Sequence, residues 1–174
     1  MLILSIHNKR QLHKNGYKKN VVDDMIKSKK HVFILIYMEG CGPCNATRPE
    51  WSKMAHTLQE QYSKNKDVAI IDINKDLLSS IKNVGSINGF PTMKYITNKG
   101  HIVENYEDSS IKNKDRSADS FINWVESKVL NGKIFSTNFS DPQHVYKRLS
   151  KKHNANNKKT RKTRNTRKNI KIYN

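Results

Sequence analysis

Only two of the 174 residues are cysteine. That scarcity excludes the disulfide framework that staples small secreted domains. Long apolar runs are also missing: the opening MLILSIHNKR offers three apolar residues between Met1 and Ser5. Such a run is far short of a signal-peptide core or of the roughly 20 residues of a membrane span. The expectation is an intracellular chain, cytoplasmic and not secreted, with no membrane partner. Acid is scarce too, with 15 Asp/Glu against 33 Lys/Arg and a net charge of +18, and none of that acid lies beyond residue 146. Residues 1–146 carry 21 Lys/Arg against all 15 acids, whereas residues 147–174 carry 12 Lys/Arg and no acid. Two thirds of the excess charge therefore sits in the last 28 residues, which marks a boundary. One core of ordinary size plus an appendage fits this length.

Within the core the apolar runs alternate with helical patterns. HVFILIYM, from His31, is near-continuously apolar, the pattern of a strand covered on both faces, and VAIIDI (68–73) repeats it. LILSI (2–6) reads as a first strand, and residues 17–29 place Val22, Met25 and Ile26 at helical spacing after the Asn15-Gly16 break. Trp51, Met54, Ala55, Leu58 and Tyr62 recur at i, i+3, i+4, i+7 and i+11, so residues 44–62 form an amphipathic helix, which Pro49 should kink. Residues 76–84 read as a short helix with Asp76 near its start. MKYIT (93–97) and HIVENY (101–106) flank Asn98-Lys99-Gly100, a hairpin signal. Phe121, Trp124, Val125 and the stem of Lys128 make one face of a closing helix, residues 117–129, after a polar loop at 107–116.

Both cysteines stand in YMEGCGPCNATRPEW (37–51). A pair spaced this way has three uses: half a zinc site, a closed structural loop, or a redox couple. Zinc wants four Cys/His ligands, and there is no second Cys pair; His31 and His56 lack the spacing of a His pair. No metal or organic cofactor is expected. At the end of a central strand and in the first turn of a helix, free backbone N–H groups and the helix dipole favour a thiolate at Cys41. Cys44, one turn further in, is placed to resolve a mixed disulfide. Gly42 and Pro43 fit the tight turn, Pro being tolerated in the first helical turn.

Cys41-Gly42-Pro43-Cys44 at the end of an apolar strand, Pro49 in the next helix, and Gly89-Phe90-Pro91-Thr92 before a hairpin together resemble the thioredoxin superfamily over roughly residues 1–130. The resemblance implies an α/β thioredoxin fold, with a mixed central sheet of four to five strands flanked by helices. It implies that Cys41 attacks, Cys44 resolves, and Pro91 is a cis-proline whose neighbours Phe90 and Thr92 orient an extended substrate. It further implies disulfide-containing protein substrates and a reductase or oxidase partner; a monomer is expected. DRSADSFINWV (115–125) is similar to the last helix of protein disulfide isomerase domains. There are departures. Gly40 stands where the family carries Trp, and Leu35 and Ile70 stand where it often buries an acid and a lysine. Loss of both charges together avoids leaving one unpaired. Glu39 is a candidate substitute for the acid. Trp51 and Trp124 are assigned to core packing, His31, His56 and His101 to strand ends or surface, and Arg48 to a solvated helix face, with the border of the redox site as its alternative.

The domain expected at residues 1–132 is followed by a linker or docked segment at 133–150, where Val145, Tyr146 and Leu149 fit one helical turn, and by a disordered basic tail at 151–174. Lys158, Lys159, Arg161, Lys162, Arg164, Arg167 and Lys168 form a polyelectrolyte suited to nucleic acid or another polyanion without sequence specificity. The alternative function is thus a thioredoxin-like binding or scaffold protein held to nucleic acid by its tail, with incidental thiols. The Asn/Lys-rich composition and the Lys-Thr-Arg tail resemble proteins of large cytoplasmic DNA viruses, which implies a nuclear or virion-associated location as an alternative to free cytoplasm.

Overall fold

The computed structural model describes residues 1–13 and 20–130. The assignments to residues 14–19, to the linker at 133–150 with Val145, Tyr146 and Leu149, and to the basic tail lie outside the described residues. The order is β1 (Leu2–Ile6), α1 (Lys9–Leu12), α2 (Val21–Ser28), β2 (His31–Tyr37), α3 (Gly42–Tyr62), β3 (Val68–Asn74), β4 (Thr92–Thr97), β5 (Ile102–Asn105) and α4 (Ala118–Val129), with short 3-10 turns between. This is a thioredoxin fold. Five strands form one mixed sheet in the order β1-β3-β2-β4-β5. The first three run parallel, and β4 and β5 complete the sheet antiparallel.

Helices on both faces explain why β2 and β3 are largely apolar, with Asp72 the charged exception in β3. One face packs Phe33, Leu35, Val68 and Ile70 against Trp51, Met54 and Leu58 of α3 and Phe121 and Trp124 of α4. The other packs Val32, Ile34, Ile36, Ala69 and Ile71 against Val22 and Ile26 of α2. Alternate residues of one strand thus serve opposite layers, as the pleat requires. Trp51, Phe121, Trp124 and Tyr106 meet at centroid separations of 5.0 to 6.4 Å, two of the pairs edge-on and two tilted, and tie α3 to α4. Glu50 of α3 also accepts the backbone N–H of Ala118, one of the amides that the start of α4 leaves open.

Local departures from the expected elements have local causes. α3 starts at Gly42, two residues before the expected position, and runs without interruption through Pro49. The expected helix at 76–84 is a 3-10 turn at Lys75–Ser80, and its cap is Asn74, which accepts the N–H of Asp76. Leu77, Ile81 and Val84 imitate helical spacing, but left-handed Asn83 (φ 63) and Gly85 (φ 72) close off that path. The hairpin turn takes positive φ at three successive residues, Asn98, Lys99 and Gly100. A Cβ on Gly100 would lie 2.8 Å from that of Asn83, so this position tolerates only glycine. The four-residue α1 had no signal in the apolar pattern; a reciprocal cap between Asn8 and Gln11 makes it.

The start of α4 is held by Asp115. Its carboxylate accepts the Ser117 N–H at 3.0 Å, the Ser120 hydroxyl at 2.6 Å and an amide N–H of Asn113 at 2.9 Å. The Ser117 side chain foremost, and these bonds with it, hold its carboxyl well below the usual carboxylate range. A depressed folded pKa contributes stability above the unfolded value, about 3.9, and that contribution is lost as pH falls through the folded one. Asp115→Asn should therefore lower stability at neutral pH by about 0.5 kcal/mol, a figure discounted for solvent screening of an exposed group. The gap between urea titrations of the two proteins should narrow as pH falls below about 4; a gap of constant size across that range would mean that the charge is not the cause.

Candidate active site

The end of β2, the start of α3 and the turn before β4 converge on the two cysteines. After Tyr37, the residues Met38, Glu39 and Gly40 turn the chain out of the sheet, Gly40 in the left-handed region at φ +73. Cys41 is the N-cap of α3, and the Cys44 N–H donates to its sulfur at 3.2 Å. The sequence reading set the helix start at Cys44; the structure makes Cys41 itself the capping group. The two sulfurs are joined in a disulfide. Cys41 is 8% exposed and Cys44 is fully buried, so attack from outside can reach only the first sulfur.

Facing them, Cys41 Sγ lies 3.8 Å from the Phe90 carbonyl oxygen, and the Phe90–Pro91 peptide is cis. The Thr92 hydroxyl donates to the Gly89 carbonyl and ties this turn together. Gly42 and Pro43 are exposed on the rim beside Cys41. Phe90, Met38 and Tyr37 pack around the disulfide. Among the residues named from the sequence, Cys41, Gly42, Pro43, Cys44, Phe90, Pro91 and Thr92 thus share one site. The seven basic tail residues lie outside the described residues.

The surroundings correct two assignments. Arg48 is not a solvated helix charge: its guanidinium stands 3.9 Å over the Tyr37 ring and pairs with Glu39 at 3.8 Å. Glu39 is 65% exposed and held outward by that pair, so it does not occupy the place of a buried acid. Leu35 and Ile70 are fully buried in the apolar layer under α3. A residue group missed from the sequence is built around Tyr37. Its ring is fully buried, its hydroxyl shares a hydrogen bond with His7 Nδ1, and burial pushes the hydroxyl's pKa up. One signal was available: Arg48 follows Cys41 by seven residues and Cys44 by four, which puts all three on one helix face. His7 had no such signal, since it reaches the site only through the sheet.

Next to this group an open cleft of about 390 Å³ is lined by Ser5, His7, Asn45, Arg48, Pro49, Trp51, Ser52 and Asp72. Asp72 is the register partner of both Leu35 and Ser5, and its carboxylate accepts the Ser5 hydroxyl at 2.6 Å. Among the described residues no three His, Cys, Asp or Glu converge as metal ligands, and no helix is long and apolar enough to cross a membrane.

A bonded cysteine pair capping the helix that follows a central strand, faced by a cis-proline turn, defines a thioredoxin-fold protein with a two-cysteine site. The family model described as Thioredoxin matches residues 9–124, and the chain belongs to the thioredoxin family. It is 29% identical over 117 residues to protein disulfide-isomerase of Oryctolagus cuniculus, covering 66% of this chain and 20% of that protein. It is 37% identical over 78 residues to probable protein disulfide-isomerase A4 of Caenorhabditis elegans, covering 44% of this chain and 12% of that one. Among solved structures, the zinc-bound form of human ERp44 superposes with a TM-score of 0.54 at 14% identity, over 74% of this chain and 30% of that one. The J-Trx1 fragment of ERdj5 gives 0.50 at 20% identity, over 74% and 52%. The chain thus spans between 12% and 20% of these two curated relatives' length.

Gly40 turns the chain just before Cys41 with a left-handed φ of +73. Nothing lies within 4 Å of a Cβ added there, so only the left-handed backbone opposes a side chain. Gly40→Ala and Gly40→Trp should each cost about 1 kcal/mol in chemical denaturation of the oxidised protein. A Gly40→Ala variant as stable as the parent would show that the turn relaxes out of that conformation.

Proposed function

We propose that the chain is a thiol–disulfide oxidoreductase acting on protein disulfides through Cys41 and Cys44. The observation that carries this reading is the Cys41 sulfur, which receives the N–H of Cys44 at the positive end of α3 and is the only one of the pair open to solvent. In the reduced protein that N–H and the helix dipole favour the Cys41 thiolate. The thiolate attacks one sulfur of a substrate disulfide; a mixed disulfide forms, and the other substrate sulfur leaves as a thiolate that takes up a proton. Cys44, after giving up its proton, attacks Cys41 Sγ. The protein disulfide closes and the second substrate sulfur departs reduced. The chain thereby loses the two electrons that the substrate gains, and the reverse sequence oxidises a dithiol.

The turn at Phe90, Pro91 and Thr92 orients the substrate. Among the described residues β5 pairs only with Lys94–Thr97, and no other described strand pairs with Pro91–Met93 on the edge away from β2. An extended substrate segment can add there by main-chain hydrogen bonds, with its cysteine beside Cys41. With the buried acid and lysine of the family replaced by Leu35 and Ile70, deprotonation of Cys44 limits release of the mixed disulfide. We assign the chemistry to the cytoplasm, on the ground that both cysteines of the chain belong to one redox couple.

The test is the equilibrium potential of the couple against glutathione, read by alkylation and mass. A value near about −270 mV marks a reductant and one above roughly −200 mV an oxidant or isomerase. Cys44→Ser should accumulate mixed disulfides with protein substrates, and Cys41→Ser should abolish turnover. Failure to form the intramolecular disulfide at any poise would sink the reading. If biological activity survived Cys41→Ser/Cys44→Ser, the chain would instead be a scaffold of the same fold.

The basic tail is proposed to bind nucleic acid or another polyanion, supported by 12 Lys/Arg and no acid in residues 147–174. If its seven clustered cations from Lys158 to Lys168 all meet phosphates, log K should fall against log salt with a slope of about −6 on duplex DNA. Removing residues 151–174 should abolish that binding and leave thiol exchange intact; unchanged binding after truncation would refute the assignment.

A further inference from the structure

The cleft beside the redox turn takes no part in the exchange steps above, yet two of its walls carry opposite charge. The α3 wall presents Asn45, Arg48 and Ser52, which share a helix face at spacings of three and four. The sheet wall presents Ser5, His7 and Asp72. Arg48 and Asp72 face the same space without being bonded to each other: the ion pair of Arg48 goes outward to Glu39 at a loose 3.8 Å, and the bond that the Asp72 carboxylate accepts comes from the neutral Ser5 hydroxyl. Most of the guanidinium fork and one carboxylate oxygen are thus left for something else. Around them stand the neutral side chain of Asn45 and the ring of His7, whose Nδ1 is occupied by Tyr37.

A cation and an anion set apart on facing walls complement a ligand that carries both charges on one short frame. A free α-amino acid head group does so. Its carboxylate matches the Arg fork in two parallel bonds, and its ammonium is a donor for Asp72. The interior of a polypeptide has neither charge on its main chain. The volume, about 390 Å³, is at the lower end of the range of small-molecule sites and suits a metabolite. The location supplies the rest of the ligand's chemistry. Asn45 follows Cys44 in the chain, and Arg48 lies over the Tyr37 ring that packs against both sulfurs.

We propose that the cleft between α3 and strands β1 and β3 binds the free amino-acid head group of a low-molecular-weight thiol, held between Arg48 and Asp72. The choice of a thiol rests on the exchange reading above; the head-group site does not. Such a thiol reduces the couple in two balanced steps. Its thiolate attacks Cys41 Sγ, the Cys41–Cys44 bond breaks, and the Cys44 thiolate takes the proton given up by the incoming thiol. A second thiolate then attacks the small-molecule sulfur of the mixed disulfide. Cys41 leaves and is protonated, and the small thiol is released as its disulfide.

The experiment uses the full oxidised chain and S-methylglutathione, which carries the head group and cannot exchange. Titration to millimolar concentration, followed by amide NMR, should move the resonances of Ser5, His7, Asn45, Arg48 and Asp72. S-methylcysteine, with the same head group, should move the same set. Arg48→Gln and Asp72→Asn should each weaken binding at least about tenfold, as expected for loss of a charge-assisted hydrogen bond. Ser52→Tyr fills the cleft from an exposed helix position that the fold does not need and should abolish binding in a protein with a native spectrum. The proposal is overturned if these resonances stay still, or if an N-acetylated, C-amidated peptide moves them equally, since the cleft would then be a substrate subsite. Because the probe is inert, a redox-dead couple leaves this result readable. Head-group binding with no thiol exchange would sink the enzymatic reading alone.

Discussion

The arrangement of this site depends on one constraint: the first amides of α3 have no partner inside the helix, and the chain satisfies one of them with sulfur. Cys41 caps α3 in the way that a serine or aspartate would, by accepting the N–H of Cys44. A capping sulfur must sit where the helix axis meets the end of the preceding strand. That position also puts Cys44 one turn inside, under Tyr37 and Phe90. The asymmetry of the pair, one sulfur reachable and one not, is therefore a consequence of helix capping and needs no separate device.

Holding the cap in place is the work of residues well away from it. α3 cannot shift along the sheet without disturbing the contacts among Trp51, Phe121, Trp124 and Tyr106, or the bond from Ala118 to Glu50. Sheet order does the remainder. β2 is central, with β3 and β4 on either side, so the loop after it and the turn before β4 open at the same edge. Cys41 and Pro91 are thus neighbours although fifty residues apart in the chain.

The strands were legible from composition alone because β2 and β3 are covered on both faces, and burial leaves little room for polar residues there. α3 was legible because its apolar stripe is long. The cysteine turn and the Phe90-Pro91 turn could be located from local motifs. What could not be read is whatever depends on a neighbour from another element. Residues 76–84 carry the spacing of a helix, yet Asn83 and Gly85 take left-handed conformations that the spacing does not disclose. The group of His7, Tyr37 and Arg48 joins β1, β2 and α3, and His7 lies thirty residues from the tyrosine it bonds. Arg48 looked like an exposed charge because a helical pattern shows which face a residue occupies but not which ring waits opposite. Asp72 was hidden for the same reason: inside an apolar strand its acid reads as an interruption until the register sets it beside Ser5.

The two indoles of the chain have a practical bearing. Trp51 and Trp124 are both in the aromatic core, and the residue before Cys41 is Gly40, so no indole stands next to it in the chain. Trp51 follows Cys44 by two helical turns, about 10 Å along the axis. Intrinsic emission from this chain is therefore a gauge of core packing at α3 and α4. Unfolding of that layer can be followed optically.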